Sequence, residues 1–352
     1  MTRILLFVSL TIFITGLLAL LSCENDITPP DPVEPEEHLF YIAESSGGKV
    51  KVFSVEERKI TDSVIFNDIN SDDVIIQLHV FGDDKRLLAS SKDKTYIKDL
   101  KNGQTDGSLN GYRRMYVSPN SEYFLAINKA VNRWEIHRMD DLQLLHFDTV
   151  NALLPQFSID SKSLAYQEHE YNITLYDFEK DSIINIYRYL NNDSVQYLWP
   201  FPIYSKSKIF FGGATWGYGC FAGVTDFNSD SVRILTGIPF GSTIVSAVSP
   251  DDKYIYSIIT PTIEGSPNII LVFDVASEEF VKEISTNDLQ QPGYMSITVD
   301  GKYILTRYFH YFYSDTTKVG LIDAEKFEVL GLYDFGSGAG YAIATKREQI
   351  RR

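Results

Sequence analysis

Two short sequence phrases alternate along most of this chain of 352 residues. The first consists of an apolar residue, a turn rich in Ser, Pro and acids, a Lys and an apolar run, as in Val-Ser-Pro-Asp-Asp-Lys-Tyr-Ile at 248–255. Its copies begin at residues 80, 117, 157, 201, 248 and 297, so they recur every 37–49 residues. A drifting period of this size indicates a repeated supersecondary unit whose loops vary in length.

The second phrase is an alternating apolar run that ends in one polar residue. This polar position falls at Ser54, Asp99, Asp140, Asp177, Asp226, Asp274 and Asp323. Repeated acids also occur in calcium-binding repeats. One acid per unit at the end of a strand is better explained as an acceptor for backbone N–H groups of the following turn. We therefore predict a structural role for these residues.

Each unit contains four short runs dominated by β-branched and aromatic residues, with turn residues between them. In the sixth unit these runs are 243–248, 254–259, 268–274 and 280–284. The Pro and acidic residues of the first phrase suit a tight reversal between the first and second strands. Four strands in every 40–50 residues, without a helical period, predict an all-β fold of the β-propeller type.

The number of blades follows from counting strands. Runs that read as second-to-fourth strands begin near 39, 86, 122, 163, 208, 253 and 302. First strands end near 80, 117, 157, 201, 248, 297 and 344. The first triplet has no first strand before it, and Tyr341–Thr345 has no triplet after it. We predict a seven-bladed β-propeller of four-stranded antiparallel blades, closed by the C-terminal strand pairing with the N-terminal blade; six and eight blades are the alternatives.

The N-terminus predicts export. An apolar run without charge, Ile4–Leu21, follows Arg3 and ends in Leu20-Leu21-Ser22-Cys23. This pattern is typical of a secretory signal, and it resembles a bacterial lipoprotein signal over residues 1–22. The resemblance implies cleavage before Cys23, a diacylglycerol on its thiol and acylation of the new amine, so that the membrane becomes a partner. The alternative is an uncleaved membrane helix, which 18 residues could barely form because about 20 are needed.

Residues 23–38 predict a tether in front of the propeller at 39–352. The segment 24–37 contains six acids, four prolines and no base, so it cannot bury enough apolar surface to fold, and its prolines favour an extended chain. Acids directly after the lipidated Cys resemble export signals of surface lipoproteins in Bacteroidetes-like bacteria. We expect an outer-membrane lipoprotein of the bacterial cell envelope, either periplasmic or exposed at the surface.

Charge and cysteine content exclude other classes of protein. With 47 acids and 32 bases the formal net charge is −15, which disfavours nucleic acid as a partner. Lipidation of Cys23 would leave Cys220 as the remaining cysteine, so an internal disulfide is not expected. No His lies near Cys220 in the sequence, and we interpret it as a small buried residue.

The repeats resemble those of known bacterial propellers. One segment resembles the repeat of YVTN/YncE-like propellers. It consists of Tyr41-Ile42-Ala43-Glu44 and the run 48–55, which begins with Gly and ends in Ser-Val. The Ser-Pro-Asp turns are similar to those of Tol-B-like repeats. The resemblance covers about 39–345 and implies the fold, with little to say about function. No Trp precedes an Asp, so true WD repeats fit less well.

No catalytic motif emerges from the sequence, and no metal site or cofactor is predicted. The six His have no spacing typical of a metal site, and there is no Gly-x-Ser-x-Gly nucleophile elbow. A lactonase-like propeller would hold a cation with carboxylates and amides from several blades at the mouth of the channel. That alternative stays open, because such ligands share no local pattern.

The candidate ligand-binding residues lie in loops that join second to third strands or one blade to the next. They are Trp216, Tyr218, Arg307, His310, Tyr311, Tyr313, Arg113 and Arg114. Trp, Tyr and Arg dominate binding hot spots, and aromatic faces stack on sugars. The alternatives are packing of the aromatic rings between blades and a surface salt bridge for the two neighbouring arginines.

These observations predict a lipid-anchored envelope protein that is a non-catalytic binding module for a protein or a glycan. The alternative from another class is a metal-assisted hydrolase of small esters or lactones, with its site at the channel mouth.

Overall fold

A computed structural model describes residues 37–345 except 45–46, 82–84, 92–93, 111, 129–132, 149–152, 159, 170–171, 189–194, 206, 216–218, 228–232, 240, 262–268, 286–291, 299, 309–317 and 336–338. The chain divides into two units, Met1–Glu37 and His38–Arg352. Every strand of the described residues belongs to the second unit.

The second unit is built from short strands. In chain order they are β1 (Leu39–Glu44), β2 (Lys49–Ser54), β3 (Lys59–Ile65), β4 (Gln77–Phe81), β5 (Arg86–Ser90), β6 (Lys94–Asp99), β7 (Thr105–Asn110), β8 (Tyr112–Val117), β9 (Tyr123–Asn128), β10 (Arg133–Arg138), β11 (Leu144–Asp148), β12 (Leu153–Phe157), β13 (Ser163–His169), β14 (Asn172–Asp177), β15 (Ser182–Arg188), β16 (Val195–Tyr204), β17 (Lys208–Thr215), β18 (Gly219–Asp226), β19 (Arg233–Pro239), β20 (Gly241–Val248), β21 (Tyr254–Pro261), β22 (Ile269–Asp274), β23 (Phe280–Ser285), β24 (Pro292–Ile297), β25 (Tyr303–Tyr308), β26 (Lys318–Asp323), β27 (Glu328–Asp334) and β28 (Ala339–Thr345).

These strands pair into four-stranded sheets. The described strands form seven of them, in the orders β28-β1-β2-β3, β4-β5-β6-β7, β8-β9-β10-β11, β12-β13-β14-β15, β16-β17-β18-β19, β20-β21-β22-β23 and β24-β25-β26-β27. Neighbouring strands within a sheet run antiparallel. The prediction of an all-β propeller with four-stranded antiparallel blades is confirmed.

The first strand of each sheet lies next to the first strands of the two flanking sheets. The neighbouring pairs are β28 with β4, β4 with β8, β8 with β12, β12 with β16, β16 with β20, β20 with β24, and β24 with β28. The strand β28 pairs with β1 through Phe40 opposite Thr345 and Ile42 opposite Ile343. The first sheet therefore combines an early and a late part of the chain.

Burial depends on a strand's place in its sheet. The third strand β22 is buried at its four central residues, whereas five of the six residues of the fourth strand β23 are exposed. The second and third strands are covered on both faces by the flanking sheets, which explains their continuous apolar runs. Tyr41 and Ala43 pack towards β4 and β5, while Phe40 and Ile42 pack towards β25 and β26.

The first sequence phrase forms the turn between first and second strands. The buried hydroxyl of Ser249 accepts hydrogen bonds from the N–H groups of Tyr254 (2.8 Å) and Lys253 (3.1 Å), and donates one to Asp251 (2.5 Å). Ser118, Ser158 and Thr298 occupy the same place in their turns. The repeated hydroxyl explains why Ser or Thr recurs there, since a buried N–H group without an acceptor is costly.

The acids of the second phrase hold the turn between third and fourth strands. Asp274 accepts hydrogen bonds from the N–H groups of Ala276 (2.9 Å) and Ser277 (2.8 Å). Asp99, Asp177 and Asp323 accept equivalent bonds from their turns, and the hydroxyl of Ser54 accepts one from Glu57 N–H. The predicted structural role is confirmed at these five positions. Among the described residues, Asp226 accepts a hydrogen bond from Arg233. In the third sheet the neighbouring Asp141, and not the expected Asp140, accepts one from Gln143 N–H.

Candidate functional site

The strand order gives the second unit two different ends. The turns from first to second and from third to fourth strands lie at one end of each sheet, which we call the hairpin face. The loops from second to third strands and the connections between sheets lie at the other end, which we call the loop face. Turns of neighbouring sheets meet at the hairpin face, where Asn120 N–H donates to the Ser161 hydroxyl at 3.0 Å.

The aromatic candidates fall between strand ends that lie at the loop face. Trp216 and Tyr218 lie between β17 and β18, which are paired up to Thr215 opposite Gly219. The loop from β25 to β26 carries His310, Tyr311 and Tyr313. All five candidates lie outside the described residues.

The expectation that the arginine candidates lie in loops is wrong, since all three lie in strands, near the ends at the loop face. The structure describes the backbone there but not these side chains. Arg113 and Arg114 are in β8, with Arg114 opposite Ile127. Arg307 is in β25, opposite Tyr294 and Val319. The lipidation candidate Cys23 lies outside the described residues.

The topology separates the candidates into three groups. The three groups belong to three sheets: the arginines of β8 to one, the aromatic residues between β17 and β18 to another, and the group between β25 and β26 to a third. At least one further sheet lies between any two of them. All three groups are at the loop face, but no two are on neighbouring sheets. A ligand that touched all of them would have to extend across this face.

The described part of the loop face contains an acidic connection that the sequence analysis missed. Residues 66–76 join β3 to β4 and include Asp68, Asn70, Asp72 and Asp73. Phe66 in this connection is buried and its N–H donates to Gly48 O at 2.7 Å. Two features of the sequence could have identified this connection: its length of eleven residues and its closely spaced acids and amides.

Two side chains of β6 support this connection. The Tyr96 hydroxyl donates to the backbone oxygen of Asp68 at 2.9 Å, and Lys98 Nζ donates to the backbone oxygen of Ile65. Burial raises the pKa of Tyr96 above 10.0, and the charges of Asp68 and Asp73 raise it further. The tyrosine therefore stays a neutral hydrogen-bond donor at physiological pH.

Gly48 permits the close approach of the connection to β2. A Cβ atom at Gly48 would lie 2.1 Å from the backbone oxygen of Phe66, so no other residue fits without a shift of the backbone. The glycine thus fixes where the acidic connection starts on the loop face.

A buried polar cluster on β10 is engaged in structural contacts. The fully buried carboxylate of Glu135 accepts hydrogen bonds from Arg133 Nε and His137 Nε2, the latter at 3.0 Å, and His137 Nδ1 lies 3.1 Å from Leu142 O. The His137 ring stacks on Phe124 with centroids 5.0 Å apart. A buried charge needs such partners, which accounts for this cluster without a ligand.

A second array joins two neighbouring sheets at the hairpin face. The carboxylate of Glu278 accepts a hydrogen bond from Lys208 Nζ (2.7 Å). It also accepts two from Arg233, one from Nε (2.8 Å) and one from Nη2. The hydrogen bond from Arg233 is the main cause that lowers the pKa of Glu278 to about 2, with Lys208 adding to it. The array is a charged link between β17–β19 and the turn after β22.

A third polar group lies at the outer rim between β11 and β14. The Tyr176 hydroxyl donates to Asp181 and lies 2.9 Å from His146 Nε2. Trp134 is buried beside both rings, and its indole N–H has no hydrogen-bond partner among the residues that the structure describes. The ring contacts of Trp134 with His146, Tyr166 and Tyr176 give this group a packing role.

Neither a metal cluster nor a membrane-spanning helix is present in the described residues. Among them, no three His, Cys, Asp or Glu side chains are grouped closely enough to hold a metal ion. The described part of the chain also lacks any helix with the length and apolarity that crossing a bilayer requires.

Comparison with solved structures supports the fold. The chain is similar to dihydro-heme d1 dehydrogenase NirN in complex with DHE, with 15% identity and a TM-score of 0.57 over 89% of this chain and 77% of that chain. It is also similar to hydrazine synthase of Kuenenia stuttgartiensis, with 14% identity and a TM-score of 0.52 over 72% of this chain and 77% of that chain.

These similarities concern the fold alone. Since 1491 chains of solved structures match, the fold is common and does not identify a ligand. No protein-family model matches the chain, and no curated protein matches it.

Proposed function

We propose that this protein is a lipid-anchored propeller of the bacterial cell envelope that binds a protein or a glycan at its loop face without catalysing a reaction. One observation carries the proposal: the chain enters the second unit at the hairpin face, where His38 contacts the turn between β24 and β25. A protein held at its N-terminus through this point leaves the loop face available for a partner.

The anchor is inferred from the lipoprotein resemblance. In this proposal residues 1–22 are the signal peptide, Cys23 carries the lipid and residues 23–38 form the tether in front of the propeller. The segment 24–37, with acids and prolines and no base, supports an extended spacer. The protein would face either the periplasm or the cell surface from the outer membrane.

We further propose that the sheets are seven blades of one closed ring, of the YVTN/YncE-like or Tol-B-like kind. The first strand of each sheet contacts the first strand of the next, and the contacts of β24 with β28 and of β28 with β4 support a closed ring. The pairing of β28 with β1 supports closure by the C-terminal strand. A closed ring has no open inner edge, and it would hold the loop face rigid.

The binding surface would use Trp216 and Tyr218, the group Arg307, His310, Tyr311 and Tyr313, and the pair Arg113 and Arg114. The positions of their flanking strands at the loop face support this assignment. The charged groups described at the hairpin face and between the sheets bind one another, whereas loops on a rigid frame usually carry binding.

The second candidate is a metal-assisted hydrolase of small esters or lactones. The acidic connection 66–76 brings carboxylates and Asn70 to the loop face, which are oxygen ligands of the kind that hard cations bind. A site there would need further ligands, because no three acidic or His side chains of the described residues are grouped closely enough to hold a metal ion. Hydrolysis of a panel of lactones and aryl esters that requires added Ca²⁺, and that Asp68→Asn abolishes, would replace the binding proposal by this one.

The binding proposal is tested by capture from envelope extracts with residues 24–352 as bait, which keeps His38 and omits the lipidated cysteine. The wild type and Trp216→Ala/Tyr218→Ala are compared, with Phe147→Ala/Phe280→Ala as the matched control, because Phe147 and Phe280 are 51% and 56% exposed on outer strands. We expect the loop-face variant to lose at least about tenfold in capture, as hot-spot truncation costs about 2 kcal/mol or more. Equal capture by all three baits would overturn the placement of the site.

The anchor is tested separately in cells. Cys23→Ser should move the protein from the membrane fraction to the soluble fraction, and mass spectrometry of the wild type should find acyl groups on the residue at 23. Cys220→Ser is the control and should leave fractionation unchanged. An unmodified wild type that still sediments with membranes would contradict lipidation.

A further inference from the structure

The residue before β1 joins the first sheet to the sheet β24–β27. The ring of His38 lies between two carboxylates: Nδ1 is 2.5 Å from Glu56 Oε1 and Nε2 is 2.9 Å from Asp300 Oδ2. Glu56 is in the turn after β2, and Asp300 is in the turn between β24 and β25, 262 residues away from His38 in sequence. The contact therefore bridges distant parts of the chain.

The geometry fixes the protonation state that binds best. Ionised carboxylates only accept hydrogen bonds, and a neutral imidazole has one N–H donor. With a carboxylate at each ring nitrogen, both contacts are satisfied only by the doubly protonated ring. A neutral ring would place a lone pair against one of the carboxylates.

We propose that His38 is a pH-sensitive clamp which, in its doubly protonated form, holds the first sheet to the turn between β24 and β25. The clamp sits where the chain enters the second unit, beside the strand pair β28 and β1. Protonation at this point would tighten the junction between the first and last sheets, and deprotonation would loosen it.

The groups around the ring agree with this role. Glu56 and Asp300 face its nitrogens, Tyr303 contacts its face edge-on with centroids 5.0 Å apart, and Lys302 Nζ lies 2.7 Å from Asp300 Oδ2. The side chains of His38 and Asp300 are only 11% and 17% exposed, so solvent screens the pair weakly. Lys302 competes for one carboxylate oxygen but leaves the ring two anionic partners.

The pKa values shift in the directions that a clamp needs. Burial lowers the pKa of His38, but the hydrogen bonds with Glu56 and Asp300 and their charges outweigh it, so the pKa lies above 6.5. Burial raises the pKa of Asp300, yet hydrogen bonds from Lys302, Thr298 and His38 bring it well below 3.8.

The two shifts set the sign of the pH effect. The folded state binds the His38 proton more tightly than the unfolded state, so the stabilisation is complete below 6.5 and is lost as the pH rises through the folded pKa. The Asp300 contribution is complete above 3.8 and is lost as the pH falls through its lowered pKa. The clamp is therefore strongest in mildly acidic conditions.

The first experiment is NMR of the wild-type chain labelled with ¹⁵N-histidine, titrated from about pH 5 to about pH 9. We expect one histidine whose two ring nitrogens remain protonated above 6.5, and we expect His38→Gln to remove that signal. A neutral His38 tautomer at about pH 6 would overturn the proposal. The titration itself is measured on the wild type, and His38→Gln serves only to assign the signal.

The second experiment is a double-mutant cycle with His38→Gln and Asp300→Asn, using thermal unfolding at about pH 6 and about pH 9. The two substitutions should be non-additive at the lower pH and additive at the higher one. From the lower to the higher pH, the wild type should lose about 2–4 °C more in melting temperature than His38→Gln. Equal coupling at both pH values would refute a switch.

The control is Asp251→Asn. Asp251 accepts hydrogen bonds from Ser249 (2.5 Å) and Lys253 N–H (3.1 Å), which match those that Asp300 accepts from Thr298 (2.7 Å) and Lys302 N–H (3.0 Å). It reports the cost of losing a carboxylate in this turn without the His38 contact. It should show no coupling with His38→Gln at either pH.

Discussion

The hairpin face and the loop face of this propeller differ in how much their connections vary. Connections at the hairpin face contain three to six residues, whereas those at the loop face range from one residue, at 111 and at 240, to eleven, at 66–76. Uniform turns with repeated Ser, Thr and Asp acceptors favour a stabilising role for the hairpin face. Variable lengths are typical of loops under selection for binding.

The two faces also differ in how far their charged side chains pair with one another. At the hairpin face Glu278 binds Lys208 and Arg233, and Asp300 binds His38 and Lys302. At the loop face Asp68 and Asp72 of the connection 66–76 are exposed, although Glu44 there pairs with Lys49 and Lys51. If the two faces differ in role, substitutions at the hairpin face should cost stability, and substitutions at the loop face should cost binding.

The largest loss of stability is expected for Glu278→Ala. It removes the common partner of Lys208 and Arg233, and Lys208 is only 12% exposed, so the free energy of unfolding should fall by about 2–3 kcal/mol. Chemical denaturation measures this loss. Glu279→Ala, at the exposed neighbouring residue, is the control and should change the free energy of unfolding by less than about 0.5 kcal/mol.

The same array has a pH signature. Because the pKa of Glu278 is lowered from 4.5 to about 2, its contribution is complete above 4.5 and is lost as the pH falls through about 2. The difference in stability between wild type and Glu278→Ala should shrink over that range. A difference that is independent of pH would show that the carboxylate charge is not what stabilises the turn.

A smaller loss is expected for Ser249→Ala. The N–H groups of Tyr254 and Lys253 lose a buried acceptor, which costs about 1–2 kcal/mol. Ser277→Ala is the matched control, since Ser277 bonds Asp274 in an exposed turn. If the two variants unfold at the same denaturant concentration, the repeated hydroxyl does not explain the first sequence phrase.

The smallest effect on stability is expected at the loop face. Trp216→Ala/Tyr218→Ala should change the free energy of unfolding by less than about 0.5 kcal/mol if these rings are exposed for binding. A loss of about 3–5 kcal/mol would instead show that they pack between sheets. The measurement thus distinguishes the two interpretations of these residues without knowledge of the ligand.

Local sequence patterns predicted the strands well. In the sixth unit the expected runs 243–248, 254–259, 268–274 and 280–284 correspond to β20, β21, β22 and β23 within two residues at each boundary. Period-two patterns and turn residues are local signals, and each unit repeats them. The terminal strand expected at Tyr341–Thr345 begins two residues earlier, at Ala339.

Contacts between sheets could not be predicted in this way. His38 contacts Asp300 because the first sheet lies beside the sheet β24–β27. Glu278 contacts Arg233 because the sheets β16–β19 and β20–β23 are neighbours. No local pattern encodes such pairs, since their partners depend on how the sheets are arranged. The acidic connection 66–76 was missed because its acids resemble an ordinary solvated loop.

The pairing of β28 with β1 has a consequence for synthesis. The strands β1, β2 and β3 are the first to leave the ribosome, but their innermost partner is made from residues 339–345. The sheet that is begun first is therefore the one that is completed last. Until then its inner edge lacks a partner, and a nascent or truncated chain would offer that edge to chaperones and to aggregation.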